Sequence, residues 1–327
     1  MNQKSLLFQT VSEQDINRIT QRHFSSEVEA YALLKGGLFN TTYLIQLKTT
    51  AAKYVLQIGP VRQDLLLPFE LHLAEAEQSV CEWMKNAQIP TNRPVASDFS
   101  KTIMDRDYMI FEYIESITLS DKAIKKRNKP RLYQQSGAYI REMHQIKGTY
   151  YGRVSNAFRN VTFSTWTDYI FSELQEVREA CVKHQVFSAE QFEQIQFLFE
   201  KGKPYFDRVK TPCLVHADLW AGNIMVCKNQ SQIAAVIDTD RCLFGDPDMD
   251  LAASWMMNRY FRNGYGRIPE DEGRKIKLLY YQLLCALIDS YVWKVEYCNP
   301  LQFHNSCKTI KKLMKKISQK SKIKIRF

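Results

Sequence analysis

The sequence predicts an α+β protein with two lobes, a β-rich N-terminal lobe and a larger, mostly helical C-terminal lobe. Strand-like runs dominate up to about residue 115, apolar residues at helical spacing dominate after about residue 130, and no Pro-rich or Gly/Ser-rich linker divides the chain. We place the N-terminal lobe at residues 1–111, a hinge at 112–116 and the C-terminal lobe at 117–327. Two such lobes are expected to enclose a cleft, where small ligands bind.

Strands and one helix are predicted in the N-terminal lobe. Residues 42–47 and 53–58 are rich in strand-forming residues and flank a short polar turn, which predicts an antiparallel hairpin. Residues 71–87 carry apolar side chains at helical spacing, which predicts a helix. Residues 108–114 are the last predicted strand of this lobe.

The C-terminal lobe is predicted to alternate helices with a few short strands. Apolar residues recur at helical spacing in five segments, which are 130–147, 166–184, 188–202, 248–262 and 272–297. Short apolar strands are predicted at 213–216, 224–226 and 234–237.

The most informative pattern begins at the end of the first of these short strands. His216 is followed two residues later by Asp218 and five residues after that by Asn223, and Asp238 closes a later strand. This is the spacing of a kinase catalytic loop. Phosphoryl transfer needs a carboxylate oriented on the acceptor hydroxyl and oxygen ligands that hold Mg²⁺ against the phosphates. In this sequence the loop supplies Asp218 and Asn223, and the later strand supplies Asp238.

Two segments, HADLWAGNIMV (216–226) and VIDTDRCLFGDPDMDLA (236–252), resemble the aminoglycoside phosphotransferase/choline kinase-like family of small-molecule kinases. The likeness extends from about residue 30 to about residue 297. It implies a bilobal protein-kinase-like fold, ATP or alternatively GTP as phosphoryl donor, and Mg²⁺. It implies Asp218 as the catalytic base and Asn223 and Asp238 as Mg²⁺ ligands. The residues that it implies as loop-ordering are His216, Asp240, Asp246 and Asp250.

The N-terminal lobe carries the implied nucleotide site. The segment KGGLFNTTY is similar to the family's Gly-Gly-x-x-Asn-x-x-Tyr turn over the phosphates, which implies Gly36, Gly37 and Asn40 as nucleotide-binding residues. Glycines let backbone N–H groups approach anionic oxygens closely. At the hinge, the resemblance implies that the Glu112 carbonyl and the Ile114 N–H contact adenine.

Gln57 stands where the family's strand has a lysine, and Glu77 stands where the following helix presents its glutamate. An amide can hydrogen-bond a phosphate oxygen or Glu77, but it supplies no cation. Lys53 lies ~13 Å back along the strand, too far to replace the lysine. Two interpretations stay open: a branch that tolerates glutamine here, or a pseudokinase or ligand-binding module without turnover. A solvated helix position is the alternative for Glu77.

The expected acceptor is a hydroxyl of a small molecule rather than of a protein. Ala217 replaces the arginine of the protein-kinase His-Arg-Asp loop, and no Ala-Pro-Glu follows Asp238. Carboxylates and aromatic residues after Asp238 suit an amino sugar, an aminoglycoside or a choline-like cation. Core and loop-ordering roles explain the same residues equally well, so a neutral sugar also stays open.

The net charge of +10 is concentrated in one segment. Residues 308–327 carry nine Lys or Arg and no Asp or Glu, which leaves +1 for the rest of the chain. A nucleic-acid partner is therefore not expected. The tail is predicted as a basic amphipathic helix that either packs on the C-terminal lobe or touches an anionic surface. Its apolar face consists of Ile310, Leu313, Met314 and Ile317.

The remaining features favour a cytoplasmic protein. No apolar run approaches the ~20 residues that span a bilayer, and the first residues lack a secretory apolar stretch. The eight cysteines include no Cys-x-x-Cys pair. We therefore expect free thiols in a reducing compartment.

Overall fold

A computed structural model describes residues 5–34, 37–252 and 255–323. The elements of the N-terminal lobe are α1 (Glu13–Phe24), β1 (Val28–Leu33), β2 (Thr41–Leu47), β3 (Lys53–Ile58), two 3₁₀ turns (Gln63–Leu65 and Pro68–Glu70), α2 (Leu73–Asn86), β4 (Pro94–Asp98) and β5 (Tyr108–Glu112). The strands form one antiparallel sheet in the order β1-β2-β3-β5-β4. The predicted hairpin is its β2–β3 pair.

Alternation and capping explain these elements. β2 buries every second residue, as a strand with one core face does. α1 begins at a capping box, in which Ser12 accepts from the Asp15 N–H and Asp15 accepts from the Ser12 N–H. Ile16 and Ile19 then pack α1 against the core of the sheet.

The C-terminal lobe is mostly helical and contains two small sheets. Its elements are β6 (Ser116–Thr118), α3 (Lys129–Met143), β7 (Gly152–Arg153), α4 (Val154–Ala157), α5 (Trp166–Lys183), α6 (Ala189–Phe206), β8 (Cys213–Val215), a 3₁₀ turn (Ala221–Asn223), β9 (Ile224–Cys227), β10 (Ile233–Val236), β11 (Leu243–Gly245), α7 (Asp248–Leu251), α8 (Arg259–Tyr265), α9 (Glu272–Tyr291), a π-helical turn (Val292–Glu296) and α10 (Pro300–Ser321). The sheets have the orders β10-β9-β6 and β7-β11-β8. β8 leads into the loop of His216, and β10 ends shortly before Asp238, so the two sheets position the predicted site.

The basic tail forms the last helix and docks on the lobe. Asn299 caps α10 by accepting from the Gln302 N–H, and α10 packs against α9 and α6. The buried side chains include the four that the sequence predicts, Ile310, Leu313, Met314 and Ile317. The packed-helix prediction is therefore confirmed, and the lysines on the opposite face are exposed. Contact of that face with an anionic surface stays a prediction.

The segment before α1 connects the two lobes. The Leu6 N–H donates to the Glu296 carbonyl (2.8 Å) at the end of the π-helical turn. The Ser5 hydroxyl donates to the Leu38 carbonyl in the loop between β1 and β2. Leu7 is fully buried. This segment therefore links the predicted phosphate loop to the C-terminal lobe.

The predicted single helix at 248–262 is wrong. α7 and α8 are separate helices, because Asn258 accepts from the first N–H groups of α8 and starts a new helix there. Trp255 lies between them, and its indole N–H donates to the Leu219 carbonyl (3.1 Å). The predicted strand at 108–114 also ends earlier, at Glu112.

The observed elements confirm the α+β class, with an antiparallel N-terminal sheet and a helical C-terminal part. The eight cysteines are free, as expected. Among the described residues, no helix has the length and apolar character needed to cross a membrane. The division at 111 and 116 stays a prediction.

Candidate active site

One buried carboxylate holds the predicted catalytic loop. Asp250 in α7 accepts from the backbone N–H groups of His216 (2.9 Å) and Ala217 (2.8 Å), and it lies 3.0 Å from His144 Nε2. Burial alone would raise the pKa of Asp250, but the bond from His144 and the nearby His216 lower it. The loop is therefore anchored to an ionised group.

His216 joins this loop to the strand end that carries Asp238. Its ring is fully buried, its Nε2 lies 3.0 Å from the Ile237 carbonyl, and its Nδ1 accepts from the Asp218 N–H (3.3 Å). Both ring nitrogens are thus used within the protein. These contacts fit a loop-ordering role.

Asn223 orients Asp218. Its Nδ2 donates to the Asp218 carbonyl (2.9 Å) and to the carboxylate Oδ2 (3.2 Å). Asn223 is buried in the 3₁₀ turn before β9. Its amide oxygen accepts no hydrogen bond from any described residue, so it remains free for a metal ion or water.

Two residues of the site have a left-handed backbone. Ala217 and Asp238 both have φ of 63°. This conformation costs roughly 1–2 kcal/mol for a residue with a side chain, and such strain collects at functional sites. Ala217 therefore carries strain that a glycine at this position would avoid.

Asp238 lies in a cluster of acidic groups. Burial and the charge of Asp218 raise the pKa of Asp238 to about 6, and burial and Asp238 raise the pKa of Glu77 to about 7. Burial and Asp238 also raise the pKa of Asp240 well above its usual range. Such crowded carboxylates need protons or a cation, and carboxylate and amide oxygens are the kinds of ligand that Mg²⁺ prefers.

In the described part of the chain, no three His, Cys, Asp or Glu side chains form a metal-binding group by themselves. A divalent ion at Asp238 would therefore also need the Asn223 amide oxygen and oxygens from outside the protein. Phosphate groups supply such oxygens in phosphoryl-transfer enzymes.

A cavity of about 300 Å³ lies beside this cluster, lined in part by β3, α2 and β5. Its lining brings together four predicted residues, Asn40, Gln57, Glu77 and Asp240. Glu77 is 2% exposed and accepts from the Asn92 amide (3.1 Å). The alternative of a solvated helix position for Glu77 is therefore wrong. Gln57 and Glu77, both described, make no hydrogen bond to each other.

The remaining predicted nucleotide residues are Gly36, Gly37, Glu112 and Ile114. A Cβ on Gly37 would lie 3.0 Å from the Asn40 carbonyl, so a larger residue would crowd this turn. Gly36 lies outside the described residues. Glu112 ends β5 with an exposed side chain, and Ile114 follows it before β6.

Asp246 lies away from the catalytic loop. Its carboxylate accepts from the Tyr281 hydroxyl (2.6 Å) and pairs with Lys277 (2.5 Å), both in α9. It therefore fastens the start of α7 to α9. It can act on the loop indirectly, through α7 and Asp250 or through β11, which pairs with β8.

α9 presents two side chains that the sequence interpretation did not single out. Between Ile276 and Tyr291, only Cys285 and Asp289, one helical turn apart, are exposed. The surrounding protein and the charge of Asp218 raise the pKa of Asp289 to about 6. Asp289 and Asp218 are therefore close enough for their charges to interact. Periodicity marks both positions as outside the core, but it does not distinguish solvent from a cleft.

Arg241 is the second omission. It pairs with Glu70 (2.6 Å), and its charge opposes the rise in the pKa values of Asp238 and Asp289. It therefore lies near both the predicted metal ligand and the open face of α9. Its position in the segment 236–252 was the available signal.

Asn223 orders Asp218, and Asp218 lies near the acidic strand end at Asp238. This arrangement is typical of phosphotransferases with a kinase fold. A family model described as "Phosphotransferase enzyme family" matches residues 31–276. The chain belongs to this family.

Solved structures share the fold over nearly their full length. Aminoglycoside phosphotransferase APH(4)-Ia, a thermostable mutant in a ternary complex with AMP-PNP and hygromycin B, has a TM-score of 0.67 at 17% identity, covering 92% of this chain and 98% of that chain. A putative fructosamine-3-kinase from Haemophilus somnus has a TM-score of 0.65 at 17% identity, covering 93% and 97%. The predicted kinase-like bilobal fold is confirmed.

One curated protein is similar over a shorter region. Protein-ribulosamine 3-kinase, chloroplastic, from Arabidopsis thaliana is 27% identical over 163 residues, which cover 45% of this chain and 49% of that protein. The matched region thus spans about half the length of the curated relative.

Proposed function

We propose that the protein is a small-molecule kinase that transfers the γ-phosphoryl group of ATP to a hydroxyl of its acceptor. The observation that carries this proposal is the hydrogen bond from Asn223 to Asp218 beside the acidic strand end at Asp238. Family membership supports the same class of reaction. The relatives and structural neighbours are kinases of ribulosamine, putatively of fructosamine, and of aminoglycosides, which supports a small acceptor.

Asp218 is proposed as the general base. Asn223 holds one carboxylate oxygen, while the other accepts no hydrogen bond from any described residue and is available to an acceptor hydroxyl. As the hydroxyl oxygen bonds to the γ-phosphorus, its proton passes to Asp218. The bond between the γ-phosphorus and the β,γ-bridging oxygen breaks, and ADP leaves with that electron pair.

Asn223 and Asp238 are proposed to hold Mg²⁺ through their oxygen atoms. When bound, the ion neutralises charge on the phosphates. Asp240 and Glu77 lie in the same acidic cluster and would feel that charge. His216 keeps its role as a positioning residue, since both its ring nitrogens are bonded within the protein.

The nucleotide is proposed to lie along the cleft between the lobes. Its phosphates would lie under Gly36, Gly37 and Asn40, and its base would contact the backbone of Glu112 and Ile114. Backbone groups do not select the base through side-chain identity, so GTP remains an alternative donor. The complex of APH(4)-Ia with AMP-PNP supports an adenine nucleotide.

The acceptor is proposed to be a sugar that carries an amine. Asp289 offers an accessible carboxylate near Asp218, and with a pKa of about 6 it is charged at neutral pH. A carboxylate pairs well with an ammonium group. Asp289→Asn should therefore raise KM for an amine-bearing acceptor and leave KM for ATP unchanged.

Gln57 favours a second candidate function, a nucleotide-binding pseudokinase. Its neutral amide lines the cavity where the family has a lysine. A protein of this kind would bind Mg-nucleotide but transfer no phosphoryl group.

A transfer assay with Mg-ATP separates the two functions. The acceptor panel comprises fructosamine, ribulosamine, amino sugars, aminoglycosides, neutral sugars and choline. Wild type should phosphorylate at least one amine-bearing sugar, and Asp218→Asn should lower kcat by about a thousandfold with nucleotide binding retained. Asp105→Asn, at an exposed position, is the control. Full turnover by Asp218→Asn would sink the mechanism, and nucleotide binding without turnover would favour the pseudokinase.

A further inference from the structure

A mostly buried cation, Arg241, lies beside the cavity at a position that is not the lysine position of the kinase pattern. Arg241 follows Asp238 by three residues, and its guanidinium carbon lies 5.2 Å from the ring centroid of Phe39. Phe39 belongs to the loop between β1 and β2, the predicted phosphate loop. Arg241 is therefore close to the predicted metal ligand along the chain and contacts the phosphate loop through its side chain.

The side chain of Arg241 is fixed from one side. Its Nη2 donates to Glu70 Oε1 (2.6 Å), and Glu70 is itself fixed because its Oε2 accepts from the Leu67 N–H (2.9 Å). The Phe69 ring lies 5.6 Å from the guanidinium carbon. The Arg241 carbonyl accepts from Arg153 Nη1 (2.7 Å). The guanidinium group is thus held in place before any ligand arrives.

The other side of the guanidinium is free. Its Nε and Nη1 make no hydrogen bond to any described residue, and the side chain is 18% exposed. Burial disfavours the charged form, but Glu70 and Asp240 outweigh it and raise the pKa of Arg241. Phe39 and Glu70, which contact the guanidinium group, and the chain neighbour Asp240 all line the cavity of about 300 Å³, so the free donors lie at the edge of that cavity.

We propose that Arg241 donates hydrogen bonds to the transferring phosphoryl group and supplies the positive charge that Gln57 does not. This inference rests on the proposed kinase function. Arg241 forms and breaks no covalent bond. Its N–H groups stabilise the charge on the phosphoryl oxygens while the acceptor oxygen bonds to phosphorus, the bond to the β,γ-bridging oxygen breaks, and the acceptor proton passes to Asp218.

A purely structural role would give Arg241 a different set of consequences. As a partner of Glu70 and Phe39 it would stabilise the fold and support the phosphate loop. ATP and ADP would then be affected equally, since both occupy that loop. A contact with the γ-phosphoryl group affects ATP alone.

The test measures affinity for Mg-ATP and Mg-ADP by calorimetry, without acceptor. The variants are Arg241→Met and the double variant Arg241→Met/Glu70→Gln, which leaves no unpaired buried carboxylate at position 70. We expect ATP affinity to fall roughly tenfold and ADP affinity to change less than about twofold. Glu70→Gln alone should keep the preference for ATP. Arg262→Met, which removes an exposed ion pair with Glu270, is the matched control.

Turnover and melting temperature complete the experiment. On the acceptor that wild type uses, Arg241→Met should lower kcat by roughly a thousandfold, and Arg241→Lys should recover part of that loss. Equal losses of ATP and ADP affinity, or unchanged affinity for both in a folded Arg241→Met, would overturn this inference alone. Failure of wild type to bind either nucleotide would overturn the proposed function, and this inference with it.

Discussion

The two sides of the cleft differ in how firmly their polar groups are held. On the C-terminal side, His216, Asn223 and Asp250 are buried, and each makes at least two hydrogen bonds. On the N-terminal side, Gln57 lines a cavity and makes no side-chain hydrogen bond to a described residue. The protein alone therefore preorganises the groups proposed to act on the acceptor hydroxyl and metal. On the N-terminal side, Gln57 is left for the nucleotide to order.

Asp250→Asn should have the largest effect on stability, because it weakens the contacts that hold the catalytic loop on the C-terminal side of the cleft. Asparagine keeps one acceptor oxygen but loses the charge that pairs with His144 and the loop. Unfolding free energy should fall by about 3–5 kcal/mol, measured by urea denaturation. Asp105→Asn, at an exposed position, should change it by less than about 0.5 kcal/mol. A loss below about 1 kcal/mol in Asp250→Asn would remove the contrast between the two sides.

The pH dependence of stability should come next and report on the acidic cluster. Glu77 has its pKa raised to about 7 in the folded protein. Between its ordinary value and about 7, the folded state keeps a proton that the unfolded state has lost, so stability falls as pH rises through this window. The fall is a few kcal/mol at most.

Denaturant unfolding in chelator from pH 4.5 to 8 checks this slope. Glu77→Gln should flatten it, and saturating Mg-nucleotide should restore stability mainly at the alkaline end. The slope should survive Glu75→Gln, a neighbouring change on the same helix. Stability that rises with pH across the window in wild type would contradict the raised pKa.

Gln57→Lys should strengthen nucleotide binding on the N-terminal side of the cleft. A lysine beside Glu77 adds a cation where the family has one, and ATP affinity should rise roughly tenfold through a charge-assisted contact. Gln57→Met, of similar length but uncharged, should give no gain. Calorimetric titration with Mg-ATP measures both variants. An equal response from the two would mean that the position does not reach the phosphates.

Ala217→Gly should have the smallest effect and relieve strain within the firm side. Because φ is 63° at Ala217, glycine should stabilise the fold by up to about 1 kcal/mol. Ala180→Gly, in the last turn of α5, should destabilise by up to about 1 kcal/mol instead. The melting temperature should rise in Ala217→Gly and fall in Ala180→Gly. Destabilisation by Ala217→Gly would show that the positive φ carries no strain.

The residues brought together by local spacing could be predicted from the sequence. His216, Asp218 and Asn223 lie within one loop between two strands, so their order along the chain already places them close together. The docking face of α10 follows from a period of 3.6 residues. The contacts in the loop join residues that are close in sequence, and the contacts of α10 repeat at a regular spacing.

Features that depend on distant partners could not be predicted in this way. The break between α7 and α8 involves the bond of Trp255 to the Leu219 carbonyl, which no helical pattern contains. The exposure of Asp289 depends on which face of α9 meets the cleft. α1 is different, since the Ser12–Asp15 capping box was readable and went unused.

The bond from the Leu6 N–H to the Glu296 carbonyl joins positions nearly a whole chain apart. During synthesis, Leu6 cannot form this hydrogen bond until the chain has been made as far as Glu296. Contacts of such long sequence separation form late in folding. The loop that Ser5 holds at Leu38 should therefore gain its outer support near the end of folding. Nascent chains that stop before residue 296 should form the N-terminal sheet, but their loop at Leu38 should lack the support that depends on the bond between Leu6 and Glu296.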